Sequence, residues 1–392
     1  MKNMPRQFTR FISTTTLSKL LLNTAKRLIY PFAPELARGL NVDLSAITSV
    51  IAVNQATGLL GPVGAGFADR YGYRLFMLIS LAMLTIGTFA LGLIPIYSML
   101  MVCFFLTGLA KTIFDTSLQA YIGSLIPLEK RGKIIGITEL AWAGSTLVGI
   151  PLTGLVIERF SWQTPFFIIS GLSLACFFLL LIFMPKTGQG QPAGVPKTAM
   201  VSNWKKILKN KKVLAVLCFV FFMSIANDNL FVIYGVWLEQ SYQLSLVAIG
   251  FGTIIIGLSE ILGEGCTALF SDKIGLKPSI LIGIILSSLS CFVLPILDIG
   301  LGYVLSGLFL IFFTFEFTMV TAMSLSTELV PELRASTMSA FYAIAGLGRM
   351  IGAFSGGILW TQSGIFAISL VSGGCMLASL ACFLFGFYNS NR

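Results

Sequence analysis

Ionisable and amide side chains stand inside strongly apolar stretches of this chain, at spacings that suit binding and release of charge. Lys19, Asn23, Lys26 and Tyr30 recur at i, i+4, i+7 and i+11, one helical stripe with Arg27 at its edge. Thr107, Lys111, Asp115 and Gln119 form a second stripe. Glu139 follows, then Asn227, Asp228 and Asn229 in a row with Tyr234 and Trp237, then Glu260 and Glu264 one turn apart, Glu316 and Arg349. A stripe of cations can hold an anionic group or a carboxylate from another helix. The oxygens of Asn227, Asp228 and Asn229 can hold a proton or sodium. With no histidine in the chain, a proton carrier must be a carboxylate, and Asp228 is the first candidate, with Glu139, Glu260, Glu264 and Glu316 behind it and Arg349 as a partner. Blander roles stand beside these: Lys111 and Asp115 can neutralise each other at i, i+4, Glu260 and Glu264 can belong to a structural ion pair, and Lys19 is expected to snorkel to the membrane surface.

The same inventory excludes other chemistry. Seven cysteines lie singly in apolar segments, with no CxxC pair, so they read as packing residues. No metal site and no organic cofactor are expected, and an enzyme would need a nucleophile with its base, which the chain does not offer.

The elements that position these residues are membrane spans. Of 392 residues 56 % are hydrophobic and 11 % charged, whereas a soluble domain carries about a quarter charged. Apolar runs predict twelve helices near 11–34, 45–68, 75–96, 98–124, 134–157, 163–184, 213–238, 246–270, 278–297, 301–326, 336–360 and 364–388. The eleven charges inside them would cost roughly 30 kcal/mol against lipid, at about 3 kcal/mol each, so they must face one another or water. Loop cations fall almost wholly on one side, with Arg38 and Arg159 alone on the other, which predicts cytoplasmic termini. The net charge of +10 is thus explained by orientation in a bilayer, without a nucleic-acid partner.

The chain also repeats. Ala65-Gly66-Phe67-Ala68-Asp69-Arg70-Tyr71-Gly72-Tyr73-Arg74 recurs 203 residues later as Ala268-Leu269-Phe270-Ser271-Asp272-Lys273-Ile274-Gly275-Leu276-Lys277, and Arg131 recurs as Arg334. Asn23, Ile29, Tyr30 and Glu35 match Asn227, Ile233, Tyr234 and Glu239 at a shift of 204. The predicted organisation is a six-helix half over 1–184, a Gly/Pro-containing cytoplasmic linker over 185–212 and a second six-helix half over 213–392. Glycines in helix 2 (Gly58, Gly61, Gly64, Gly66), helix 5 (Gly144, Gly149, Gly154) and helix 11 (Gly346, Gly348, Gly352, Gly356, Gly357) are expected at the surfaces on which the halves rock.

Span count, duplication and the Asp-Arg/Lys-x-Gly-x-Arg/Lys loop of both halves together resemble the major facilitator superfamily. The resemblance implies an all-α fold of twelve transmembrane helices in two pseudo-symmetric halves. It also implies a monomeric secondary transporter of a small molecule in a bacterial inner membrane, working by alternating access. It further implies a gating role for Asp69, Arg70, Gly72 and Arg74 and for Asp272, Lys273, Gly275 and Lys277, with Asp69 facing the helix that starts near Arg334 and Asp272 the one that starts near Arg131. Tyr30-Pro31-Phe32-Ala33-Pro34 is similar to a motif of the twelve-span drug and small-molecule proton antiporters, although the helix 4 arginine of those proteins falls near Phe104 here. Proton-coupled efflux of a small amphiphilic molecule is the expectation, with Asn23, Lys26, Arg27, Tyr30, Lys111, Asp115, Asn227, Asp228 and Tyr234 on the substrate or coupling ion. Import or facilitated passage of a small organic anion is the alternative, ahead of a non-transporting sensor of the same fold.

Overall fold

The computed structural model describes residues 6–61, 67–68, 70–125, 128–184, 209–330 and 334–388, which are helical apart from short turns. The chain divides into two compact units, residues 1–194 with 244–253, and 195–243 with 254–392. Among the described residues nine helices are long and apolar enough to cross a membrane, ten if one bent pair counts as a span.

In the first unit α1 (Arg6–Arg27) is rich in Thr and Ser, whose hydroxyls would be costly in an apolar setting. They are satisfied locally, Thr15 and Thr16 donating to the Ile12 carbonyl and Ser18 to that of Thr14. The expected single helix over 11–34 is broken: α1 stops at Arg27 and α2 resumes over Ala33–Leu40. Pro31 lacks an N–H, and Pro34 sits in the first turn of α2, where that lack is tolerated. α3 (Leu44–Ala56, extended by a tighter turn over Thr57–Leu60) meets α2 at 117° across Asn41, whose φ of 51° closes the C-terminus of α2.

α4 (Tyr73–Leu93) and α5 (Tyr97–Leu125) follow. α6 (Leu128–Gly144) passes through one π turn, Ser145–Gly149, into α7 (Ile150–Arg159), with Pro151 just beyond the turn. Pro151 cannot donate the bond that would keep the ladder regular there. α8 (Thr164–Phe183) completes the unit.

The second unit holds α9 (Lys211–Phe231), α10 (Tyr234–Tyr242), most of α11 (Leu246–Ile274), α12 (Leu276–Val293), α13 (Leu301–Leu329) and α14 (Arg334–Phe387). Asn210 caps α9, its side chain accepting from the Lys212 and Val213 amides. At 54 residues α14 would be about 81 Å long. Gly364, with φ 60° and ψ −149°, interrupts it and separates the two expected spans. The first turns of α11 cluster with the first unit, where Val247 N donates to Glu158 at 3.1 Å.

The glycines of the expected ladders make different contacts: a Cβ at Gly154 would stand 2.9 Å from the Leu246 carbonyl at the start of α11, whereas several others face helices of their own six-helix stretch. Gly64 and Gly66 lie outside the described residues. A side chain at Gly149 would collide with Thr24, and one at Gly144 with Leu20, so α6 and α7 are held against α1 of their own unit. In the second unit, Cβ atoms at Gly348, Gly352 and Gly356 would strike the carbonyls of Phe221, Ile225 and Asn229, one turn apart on α9. These glycines allow helix backbones to touch within a unit. Thr24 against Gly149 and Asp228 against Gly352 are the same crossing in the two units, at shifts of 204 and 203.

Candidate functional site

Three helices of the first unit meet at Lys19. Its ammonium, 2 % exposed as a residue, donates to Glu139 Oε1 at 2.6 Å and stands 3.6 Å from Asp115 Oδ1. Asp115 Oδ2 accepts from Lys111 on the preceding turn of α5 at 2.5 Å, while Oδ1 is buried without a hydrogen bond. The order Lys111, Asp115, Lys19, Glu139 links α5, α1 and α6 with two cations and two carboxylates, and only Glu139 is substantially open, its side chain 45 % exposed. The pairing of Lys111 with Asp115 occurs as the spacing suggested. Lys19 does not snorkel; the carboxylates of two other helices satisfy it inside the unit, which water at the surface would otherwise have done.

Two turns further along α1 the cations have different company. Lys26 Nζ donates to Gln55 Oε1 at 3.0 Å, and the Gln55 amide nitrogen donates to the Tyr30 hydroxyl at 2.6 Å. Arg27, 3 % exposed, lays its guanidinium over the Trp142 ring at 4.3 Å, and Lys111 Nζ stands 5.4 Å from the same ring. Asn23 lies on that face of α1 between Lys19 and Arg27; it is 1 % exposed and neither of its amide atoms finds a hydrogen bond. Gln55 and Trp142 were not singled out from the sequence. Trp142 is three residues beyond Glu139, on the same face of α6, a spacing that could have drawn it in.

In the second unit Asp228, Asn229, Arg349 and Ser355 lie where α9 meets α14. Asp228, 1 % exposed, has its Oδ2 3.8 Å from Arg349 Nε, and Ser355 Oγ donates to Asn229 Oδ1 at 2.7 Å. The buried Asn227 Oδ1 and Asn229 Nδ2 have no hydrogen bond. Tyr234 begins α10, its ring stacked on Phe231 at 5.5 Å, and Phe231 meets Phe312 edge-on at 5.4 Å. Glu260 is buried on α11 and Glu264 exposed one turn on, while Glu316 of α13 packs beside Gly263, whose absent side chain would stand 3.0 Å from the Glu316 Cβ. Arg349 is therefore placed with Asp228.

The repeated loops share their backbone. Gly72 and Gly275 have φ of 99° and 95°, and each donates its N–H at 2.9 Å to the carbonyl four residues back, Ala68 or Ser271. Left-handed backbone here is open to glycine at little cost. The basic residue two places on reaches the last helical segment of its own unit: Arg74 donates to the Leu181 carbonyl at 2.6 Å and Lys277 stands 5.4 Å from the Phe387 ring. Arg70 lies over Tyr71 at 5.3 Å and Lys273 is exposed. Asp69 lies outside the described residues, as do the side chains of Arg131, Asp272 and Arg334 and most of the 185–212 linker.

Apolar helices in two units, a repeated loop and ionisable residues within the apolar helices are the frame of a transporter. The profile of the Major Facilitator Superfamily matches residues 15–353 and 216–392. The chain belongs to the Major Facilitator Superfamily. It is a multi-pass membrane transporter and not an enzyme. It is 26 % identical over 346 residues to the uncharacterized MFS-type transporter YceJ of Bacillus subtilis (strain 168), covering 88 % of this chain and 87 % of that protein. It is also 26 % identical over 287 residues to the multi-drug resistance efflux pump PmrA homolog of Lactococcus lactis subsp. lactis (strain IL1403), covering 70 % of each. The fold is similar to the crystal structure of the nucleoside transporter NupG, with a TM-score of 0.78 at 17 % identity, covering 96 % of this chain and all of that one.

Proposed function

We propose that this transporter exports a small amphiphilic molecule in exchange for protons, by alternating access between two six-helix halves of a twelve-helix bundle. Twelve spans follow if α14 counts as two at Gly364 and α1 and α3 join the long apolar helices. The orientation is that of an inner-membrane protein with both termini cytoplasmic, supported by the loop cations. The transporter works as a monomer in the lipid bilayer, with Asp69 and Asp272 gating it at their loops.

The observation that carries the coupling is Asp228: a buried carboxylate whose Oδ2 stands 3.8 Å from the Arg349 guanidinium across the α9/α14 crossing. A proton taken up by Asp228 would release Arg349, and return of Arg349 would expel the proton, so occupancy and helix position are linked at one atom pair. Glu139, Glu260, Glu264 and Glu316 are the secondary coupling candidates. Substrate is assigned to Asn23, Lys26, Arg27, Tyr30, Lys111 and Asp115 in one half, and to Asn227 and Tyr234 in the other. Similarity to a multi-drug efflux pump supports the direction.

The test is accumulation of cationic and anionic dyes by cells with wild type or Asp228→Asn, each with and without an uncoupler. Lowered dye uptake that vanishes with either the uncoupler or Asp228→Asn supports proton-coupled export. Loss only when sodium is withdrawn would assign the oxygens of Asn227 and Asp228 to sodium. Raised anion uptake lost with Arg27→Gln would favour an importer or facilitator of an organic anion, a reading supported by the α1 cations and by Phe104 at the position where antiporters carry arginine.

A further inference from the structure

In the first unit α8 packs along α4 in antiparallel register, and the pairs run turn by turn. Phe89 meets Phe167 edge-on at 6.0 Å, Ser170 donates to the Thr85 carbonyl at 3.0 Å, Ser173 donates to that of Leu81 at 3.1 Å, and Arg74 donates to that of Leu181 at 2.6 Å. α1 runs antiparallel to α8 as well, with Ser18 in hydrogen-bond contact with the Cys176 thiol and the Arg10 guanidinium 5.4 Å from the Phe183 ring. Two guanidiniums from two helices thus stand at the last turn of α8. The terminal carbonyls of a helix carry about half a negative charge between them. Among the described residues no carboxylate pairs with Arg10 or Arg74, so two positive charges face that half charge alone. Both arginines also keep free donors. Arg74 uses one terminal nitrogen on Leu181, and the exposed Arg10 has a ring against its face, which leaves the N–H groups at its edge open.

We propose that Arg10 and Arg74 form a seat for the phosphate of an anionic phospholipid at the last turn of α8. A guanidinium offers two parallel N–H groups to two phosphate oxygens, and the second arginine supplies the further charge that an anionic headgroup neutralises. The neighbouring surface selects a lipid over free phosphate. Leu181 and Ile182 on the same turn are 42 % and 65 % exposed, so apolar surface for acyl chains lies directly beside the cations. Arginines at the end of a span also stand at the level of the headgroups, where basic residues between helices hold anionic lipids. A headgroup bound there ties α1 and α4 to the end of α8, the helix that leads into the 185–212 linker. The second unit has a reduced counterpart: Lys277, the repeat of Arg74, stands 5.4 Å from the Phe387 ring in the last turn of α14, with an ammonium in place of the planar fork. The seat is independent of the substrate and of the coupling ion.

The seat is tested on the full chain in detergent by native mass spectrometry, with phosphatidylglycerol and phosphatidylcholine of the same acyl chains added in equal amounts. Wild type should retain phosphatidylglycerol in preference. Arg10→Gln and Arg74→Gln should each weaken that retention about fivefold, and the double variant more than tenfold. Arg159→Gln, an exposed cation at the opposite end of α8, should leave it unchanged. Arg74→Gln also removes a bond to the end of α8 and can lower folded yield, whereas Arg10→Gln removes no hydrogen bond, so Arg10→Gln carries the test by itself. Equal retention of the two lipids by wild type, phosphatidylglycerol retention untouched by Arg10→Gln, or an equal loss with Arg159→Gln would each overturn the proposal. Displacement of phosphatidylglycerol by millimolar inorganic phosphate would assign the arginines to a free anion and overturn it as well.

Discussion

Asp115 is the pivot of the buried charges in the first unit, so neutralising it should cost more than neutralising Glu139, although both substitutions remove one carboxylate. At an effective dielectric of about 20, a unit charge 3.6 Å away contributes roughly 5 kcal/mol and one in hydrogen-bond contact roughly 6 to 7. Asp115 has one of each, from Lys19 and Lys111. The cost of drying these groups offsets most of that sum, and deleting one member of a buried pair leaves a net loss of about 3 to 5 kcal/mol. Asp115→Asn should lie in that range. Glu139→Gln leaves Lys19 with Asp115, and the lost carboxylate was nearly half exposed, so its net cost falls to about 1 kcal/mol. Lys111→Met added to Asp115→Asn removes the stranded ammonium while Lys19 keeps Glu139 at 2.6 Å, so the double variant should be more stable than Asp115→Asn alone by about 1 to 2 kcal/mol. Unfolding in denaturing-detergent mixtures, followed by helical circular dichroism, gives the order. Equal stability of the two single variants, or strict additivity in the double, would refute the pivot.

Other positions yield sharper yes-or-no outcomes. Gly72→Ala and Gly275→Ala should each lose about 1 kcal/mol or more to left-handed backbone strain, with Asn at either position recovering part of it, read by the same unfolding assay. Gly352→Leu should abolish monodisperse expression, because a Cβ added there would stand 2.6 Å from the Ile225 carbonyl oxygen and 3.0 Å from the Asp228 Cβ. Gly171→Ala, where nothing lies within 4 Å, should behave as wild type. Asn210→Ala should destabilise α9 by about 1 kcal/mol through loss of two cap bonds, seen as faster amide exchange over its first turn. Arg349→Gln should lower the yield of folded protein through Asp228, and Arg349→Gln with Asp228→Asn should restore yield while leaving export absent.

What the sequence made legible was the class of element and the type of residue, because both are written in local pattern. Apolar runs longer than a bilayer is thick, a positive bias in the loops and a 203-residue repeat needed no third dimension. Breaks were less visible. Pro31 signals the interruption of α1, but α9 breaks at Val232 and Ile233 with no proline to announce it. The same limit governs the site. Helical spacing placed Lys111 with Asp115 and collected Asn23, Lys26 and Tyr30 on one stripe, yet partners on other helices carry no spacing signal. Glu139 with Lys19, Gln55 between Lys26 and Tyr30, and Trp142 beneath Arg27 required helix packing to bring them together. The glycines show the limit from the other side: their number announces close approach, but only packing shows which helix approaches, α1 at Gly149, α9 at Gly352 and the start of α11 at Gly154.

The duplication explains why the two units can share a frame and still differ in chemistry. Positions that set backbone contacts are retained between the repeats: Gly72 with Gly275 at positive φ, Gly149 with Gly352 at the helix crossing, and Asn41 and Gln243 as left-handed caps. Positions beside those contacts have diverged. Asp228 occupies the place of Thr24, Arg349 that of Thr146, and Lys19 has Met223 as its counterpart. A charge is tolerated at such a position only if its neutralising partner arises on the facing helix, as Arg349 does for Asp228 and as Asp115 and Glu139 do for Lys19. The same frame therefore supports a cation-rich set in one unit and a carboxylate-rich set in the other.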